Sequence, residues 1–360
     1  MAPDPPAPQP RPAIRRMHPY EWEPPSAAIA RQAGVPEDQV VRFDTNTFPW
    51  PGASLDQLPA TPLNEYPDTT YGALAEAIAQ YTDVPADRIT IGAGADEILQ
   101  LVAQSYIDDS ATVVISRPTY PMFTVLTEIA GGSIDAVPAI DLCLDRQSFL
   151  EHAQKATVTW LSNPNNPTGE LLPLDFIDDL TRRAAGVVVV DEAYFEVSGV
   201  SALPLIEDRP NLVVVRTLSK GFGLAGVRVG YGLAGGDISS VLRRVRPPNS
   251  LSAVSIALAV QALSNVNQMR DRVARLLAER IRLQAELAGM GLEVRESAAN
   301  FLLVKAGKDA ASFLLRHGLV VRTFPASSML GDYIRITVRR PEQNARLVDV
   351  LRSSLTPARP

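Results

Sequence analysis

The chain has 360 residues, a formal net charge of −6 and ordinary apolar content, which suits a globular protein of more than one domain and leaves no basic footprint for nucleic acid. A single cysteine, Cys143, excludes an intramolecular disulfide and suits a reducing cytoplasm; with only three scattered histidines, His18, His152 and His317, no metal site is expected. No apolar run approaches the ~20 residues needed to span a membrane.

The start, "MAPDPPAPQPRP", is proline-rich without the apolar stretch of a secretory signal, so residues 1–16 read as an extended, disordered tail. Residues 17–60 form an irregular arm with one short helix near "PPSAAIARQAG", ordered on its own chain or by a partner. From 61 to 245 helices and strands alternate: helices at "YGALAEAIAQYTD", "ADEILQLVAQSYI", "YPMFTVLTEIAG" and "LDFIDDLTRRA", strands at "RITIGAG", "ATVVIS", "TVTWLSN", "GVVVVDEAY" and "NLVVVRTLS". Valine-rich runs separated by helices predict buried strands in a largely parallel sheet. Asp96 and Asp237 read as helix N-caps. Residues 246–360 change texture: two long amphipathic helices, then strand, helix, strand, strand, a smaller α+β domain.

"KGFGLAGVRVGYG" holds a literal G-x-G-x-x-G at Gly221, Gly223 and Gly226. A dinucleotide site needs a helix to follow the third glycine, and here a strand-like alternation follows, containing Arg228. The residues that end the other strands point elsewhere. They include Asp96, Tyr120, Asn166, Asp191, Tyr194, Thr217, Ser219 and Lys220: a lysine, a strand-end acid, aromatic rings and hydroxyls beside glycines. Pyridoxal 5′-phosphate needs such a set, with a lysine for its aldehyde and an acid for its ring nitrogen.

"SNPNNPTG", "VVVVDEAY" and "RTLSKGFGLAGVRVGYG", in this order, resemble the fold-type-I aminotransferases. "HPYEWEP", "FDTNTFPWP", "NEYPD", "GAGADEIL", "RPTYPMF" and "YIRITV" resemble their histidinol-phosphate aminotransferase branch, and the likeness runs from about residue 17 to the end. The resemblance implies an α/β fold, a large domain on a mostly parallel seven-stranded sheet plus the smaller α+β domain. It implies a cytoplasmic homodimer that transaminates histidinol phosphate with 2-oxoglutarate. An aromatic or broad-specificity aminotransferase and a threonine-phosphate decarboxylase share the scaffold.

Residue by residue, the resemblance makes Lys220 the Schiff-base lysine, Asp191 the partner of the pyridine nitrogen, and Tyr194 and Asn166 donors to the phenolate oxygen. Tyr120 stacks on the ring. Ala95, Asp96, Thr217, Ser219 and Arg228 hold the phosphate, where the glycines let the backbone pass close. Tyr66 reaches the phosphate of a neighbouring subunit. Arg322, Arg335, Tyr20 and Asn46 hold the substrate. Thr47, where the family has an acid, and "RPPNSLS" at 246–252 depart from the pattern and bear on the side-chain pocket.

Overall fold

The computed structural model describes residues 9–17, 23–58 and 63–355. The strands formed among them are β1 (Val41–Arg42), β2 (Ile89–Gly92), β3 (Thr112–Arg117), β4 (Ser133–Pro138), β5 (Val158–Ser162), β6 (Val187–Asp191), β7 (Leu212–Thr217), β8 (Gly230–Ala234), β9 (Glu293–Val294), β10 (Phe301–Lys305), β11 (Leu319–Val320) and β12 (Tyr333–Thr337). Strands β2 to β8 make one seven-stranded sheet in the order β2-β8-β7-β6-β5-β3-β4. The pairs from β7 to β4 are parallel, and β8 runs antiparallel to both β2 and β7. This is the expected mostly parallel seven-stranded sheet.

The valine runs are continuous because both sheet faces are covered. Side chains alternate along a strand. Val187 and Val189 pack with helices Ala95–Tyr106, Pro121–Ala130 and Gly236–Val245. Val188 and Val190 pack with Gly72–Thr82, Arg146–Ala153 and Leu174–Arg183. That second core continues to Leu302, Val304, Ile334 and Ile336 of an antiparallel sheet ordered β12-β10-β9. The arm is stitched to its own chain there: β1 pairs in parallel with β11, and the Phe43 N–H donates to Val320 O at 2.7 Å. Among the described residues no helix is long and apolar enough to cross a membrane.

Four local expectations are corrected. Residues 12–16, assigned to a disordered tail, form a helical turn, and Arg11 Nη2 donates to Ile129 O at 2.7 Å. Arg228 is not in a strand: it takes the left-handed conformation at φ 55°, and β8 starts at Gly230. Asp96 and Asp237 are first-turn acids rather than N-caps, which are Gly94 and Gly235. Strand β4 and the helices Arg146–Ala153 and Pro341–Leu355 carried no strong sequence signal. β4 is an edge strand, mostly half-buried, and lacks the long apolar run of its neighbours.

Gly230 lets β8 lie directly on the start of helix Ala95–Tyr106. A Cβ there would stand 2.3 Å from the Gly94 carbonyl carbon and 2.4 Å from Ala95 N, and both obstacles are backbone. Gly230→Ala is therefore expected to destabilise the fold by roughly 1–3 kcal/mol, the scale of overpacking, measured by denaturant unfolding. A wild-type midpoint would show that the helix start yields freely.

Candidate active site

The carboxyl ends of β5, β6 and β7, the start of helix Ala95–Tyr106, the arm, the segment after β11 and strand β12 enclose a cavity of about 580 Å³. That is the size of a small-molecule site. Asp191 is the last residue of β6 and is buried. Among the described residues its carboxylate accepts one hydrogen bond, from the Ala193 N–H at 3.0 Å, and forms no ion pair. Burial pushes its carboxyl up to about 7, against the opposing pull of the Ala193 N–H and Lys220. Lys220 follows β7 by three residues, and burial first, then Arg335, brings its amine down to about 8. Its Nζ donates to Asn46 O at 3.1 Å, so an arm carbonyl fixes the amine.

Asn46 itself is held in the left-handed conformation, φ 52°, which asparagine tolerates better than most residues. Its N–H donates to the Thr337 hydroxyl at 3.0 Å and its Nδ2 to the Tyr194 hydroxyl at 3.0 Å. Burial raises the Tyr194 phenol to about 12, keeping it protonated as a donor. Arg335 Nη1 donates to Asn166 Oδ1 at 2.6 Å, which leaves the Asn166 amide nitrogen as the donor turned elsewhere. Arg335 Nη2 donates to Asp44 O at 2.6 Å, and its buried Nε has no partner among the described residues.

An anion-binding corner forms opposite. Ala95 and Asp96 open their helix, where first-turn amides have no intrahelical acceptor. Thr217 and Ser219 hydroxyls lie 2.9 Å apart, and Arg228 Nη2 sits 3.2 Å from Asp96 Oδ2. The Tyr120 hydroxyl donates to Asp96 Oδ1 at 2.8 Å, with its ring lining the cavity. Arg322 pairs with Arg335 across an antiparallel bridge, and its Nη1 lies 2.9 Å from Glu23 of the arm. Tyr66 is 84% exposed and does not line this cavity. Tyr20 lies outside the described residues.

One reading of the glycine motif is overturned. A Cβ on Gly221 would strike Glu196 and one on Gly223 would strike Trp50 O of the arm, whereas Gly226 faces open space. Gly221 and Gly223 accommodate the protein's own elements. The close-approach glycines at the anion corner are Gly94, whose Cβ would stand 2.5 Å from Arg228 Nη2, and Gly230. Sequence reasoning also missed Ser162, Asp44 and Glu23. Ser162 is legible as the strand-end neighbour of Asp191, but Glu23 meets Arg322 across 299 residues and no local pattern announces it.

Residues 42–351 match the family described as aminotransferase class I and II. The chain is 34% identical to a histidinol-phosphate aminotransferase of Roseiflexus castenholzii, covering 95% of this chain and 97% of that one. It is 34% identical to another from Symbiobacterium thermophilum, covering 96% and 98%. Its structure resembles a histidinol-phosphate aminotransferase from Sinorhizobium meliloti in complex with pyridoxal-5′-phosphate, with a TM-score of 0.84 at 27% identity over 96% of this chain and 98% of that one.

The donor set here fits that cofactor. A buried carboxylate without a cation suits a protonated ring nitrogen, a half-buried amine suits an aldehyde, and hydroxyls, helix amides and a guanidinium suit a phosphate.

Burying Asp191 without a cation has a consequence for stability. Its carboxyl moves from 3.8 to about 7 on folding, so the folded cofactor-free protein binds more protons than the unfolded chain between those values. Stability therefore falls as pH rises from about 4 to about 7, and the penalty is complete above 7. Asp191→Asn should stabilise the cofactor-free protein by roughly 1–4 kcal/mol above pH 7 and by little near pH 4. Thermal melts across that range check this; a pH-independent difference would refute it.

Proposed function

Because this chain belongs to the class I and II aminotransferases, we propose that it transfers an amino group between histidinol phosphate and 2-oxoglutarate with pyridoxal 5′-phosphate, a step of histidine biosynthesis. The observation that carries the substrate reading is the Arg322–Arg335 pair at the edge of the cavity that holds Lys220. A phosphate ester offers more charge and more acceptor oxygens than a carboxylate and is matched by two guanidinium forks. The names of relatives similar to nearly the full length of the chain support it.

Bound here, the cofactor supplies an electron sink for the pair left when a substrate Cα–H bond breaks. Lys220 Nζ, at about 8, takes the proton from Cα and returns it, since its amine gains and loses a proton near neutral pH. Asp191 holds the ring nitrogen positive, because a buried carboxylate gains most from a cation set against it. Tyr194 and the Asn166 amide nitrogen would donate to the phenolate oxygen, and the Tyr120 ring would pack on the cofactor ring. Thr217, Ser219, Arg228 and the amides of Ala95 and Asp96 would hold the phosphate. Arg335 Nε and the Arg322 guanidinium receive the substrate anion, with Asn46 and Tyr20 beside it.

The proposal includes an arm over 17–60, a large domain over 61–245 and a small domain over 246–360, which divides Asp191 and Lys220 from the two arginines. It also includes a cytoplasmic homodimer. One free cysteine, Cys143, is in keeping with a reducing compartment. The exposed Leu55, Leu63 and Tyr66 and a groove lined by Leu224, Val227 and Leu258 are in keeping with a second copy.

Arg322→Ala should harm reaction with histidinol phosphate more than with phenylalanine, by roughly 2–4 kcal/mol in kcat/KM, whereas Arg335→Ala should harm both. A wild type indifferent between the two substrates, and a ratio unmoved by Arg322→Ala, would make the enzyme a general aminotransferase. Mixing inactive Lys220→Ala chains with inactive Tyr66→Ala chains should restore part of the activity, because one of the two mixed sites then has both residues. An active monomer in sedimentation would refute the shared site.

A further inference from the structure

Beside the strand ends that carry Asp191 and Lys220 lies a charged cluster that does not line the cavity and that the proposed chemistry does not use. Arg216 of β7 and Glu192, just after β6, are 2% and 1% exposed. Arg216 Nε donates to Glu192 Oε2 at 3.0 Å and Arg216 Nη2 to the Ser201 hydroxyl at 2.7 Å. Glu192 Oε1 also accepts from the Ala202 N–H at 2.6 Å. The Arg216 guanidinium lies over the Phe195 ring, 3.5 Å from its centroid. A buried ion pair with this many satisfied donors is held in one geometry.

Its place in the sheet gives that geometry a use. The β6–β7 ladder runs from Val188↔Leu212 to Asp191↔Val215 and ends with the Glu192 N–H donating to Val215 O at 2.8 Å. Beyond it the chains part. One turns through Ala193 and Tyr194, and the other continues to Lys220 while pairing with β8 at Thr217↔Gly230. Glu192 follows Asp191, and Arg216 precedes Thr217, so alternation turns each member of the pair away from the neighbour that lines the cavity. Glu196 adds a second support. Its Cβ stands 2.4 Å from where a Cβ on Gly221 would be, directly under the turn that presents Lys220. Burial pushes the Glu196 carboxyl up to about 7, against the opposing pull of Arg216.

We infer that Glu192 and Arg216 are positioning residues, which fix from behind the sheet the separation and orientation of Asp191 and Lys220 where the backbone ladder no longer does. The inference rests on the proposed roles of those two cavity residues.

The double variant Glu192→Gln/Arg216→Met removes both charges of the pair at once, so neither partner is left buried without the other. In the holoenzyme, the visible absorbance of the bound cofactor titrated against pH should shift its midpoint by about half a unit or more, and cofactor should dissociate more readily. The kcat should fall about tenfold with KM for the amino donor nearly unchanged. Arg216→Lys, which keeps the charge but loses the fork, should show the same changes in smaller measure. A double variant with wild-type titration, cofactor affinity and kcat overturns the inference, whatever its melting temperature. If the double variant does not fold, wild-type values in Arg216→Lys overturn it equally, and failure of both to fold makes the pair an element of stability alone. Borohydride reduction of the wild type separates the two levels. A label on Lys220 with unmoved variants defeats only the positioning role, while a label on another lysine defeats the cofactor reading and the inference with it.

Discussion

The site depends on the desolvation of two opposite charges at the ends of neighbouring strands. Asp191 closes a run of four buried valines and Lys220 follows a run of three, so both groups leave water because the sheet around them does. Burial above all drives them toward each other on the pH scale, the acid up to about 7 and the amine down to about 8. Each is thereby brought closer to the protonation state it would not hold at the surface. An isolated carboxylate at a strand end costs the fold stability. The same cost makes the position favourable for a bound cation, because the ligand restores what burial removed. Stability and reactivity at this position are therefore one term with two signs.

The direct hydrogen-bond partners of those two groups are neutral: the carbonyl of Asn46 holds the Lys220 amine and the Ala193 N–H holds Asp191. Neutral partners fix direction without cancelling charge. The charged groups of the cavity, the Arg228–Asp96 and Arg322–Glu23 pairs and Arg335, line it without bonding to Asp191 or Lys220. The Glu192–Arg216 pair lies outside the cavity, behind the strand ends.

The sheet and the strand-end residues were legible because their signals are local. A valine run reads as a buried strand wherever it occurs, and a lysine wedged between such a run and three glycines is conspicuous on its own. Distant contacts were not legible. Asn46 was named for the substrate, but its hold on Lys220 across 174 residues and on Thr337 across 291 has no local signal. The roles of the glycines were misread for the same reason. Gly221 and Gly223 are small because Glu196 and Trp50 press on them, and nothing in "KGFG" names those neighbours. Arg228 was placed in a strand because "VRVGYG" alternates, yet alternation cannot register the left-handed turn that swings its side chain to the anion corner.

The arm explains why the small sheet belongs to the site at all. Strand β1 adds to β11, and Phe43 O accepts from the Thr337 N–H at 2.8 Å, so the arm is hydrogen-bonded to both β11 and β12. Together they carry Asn46 against Lys220 and Arg335 against Asn166. The small sheet thus reaches Lys220 through the Asn46 carbonyl and Asn166 through the Arg335 guanidinium, so the site is completed by contacts that no single stretch of the sequence supplies.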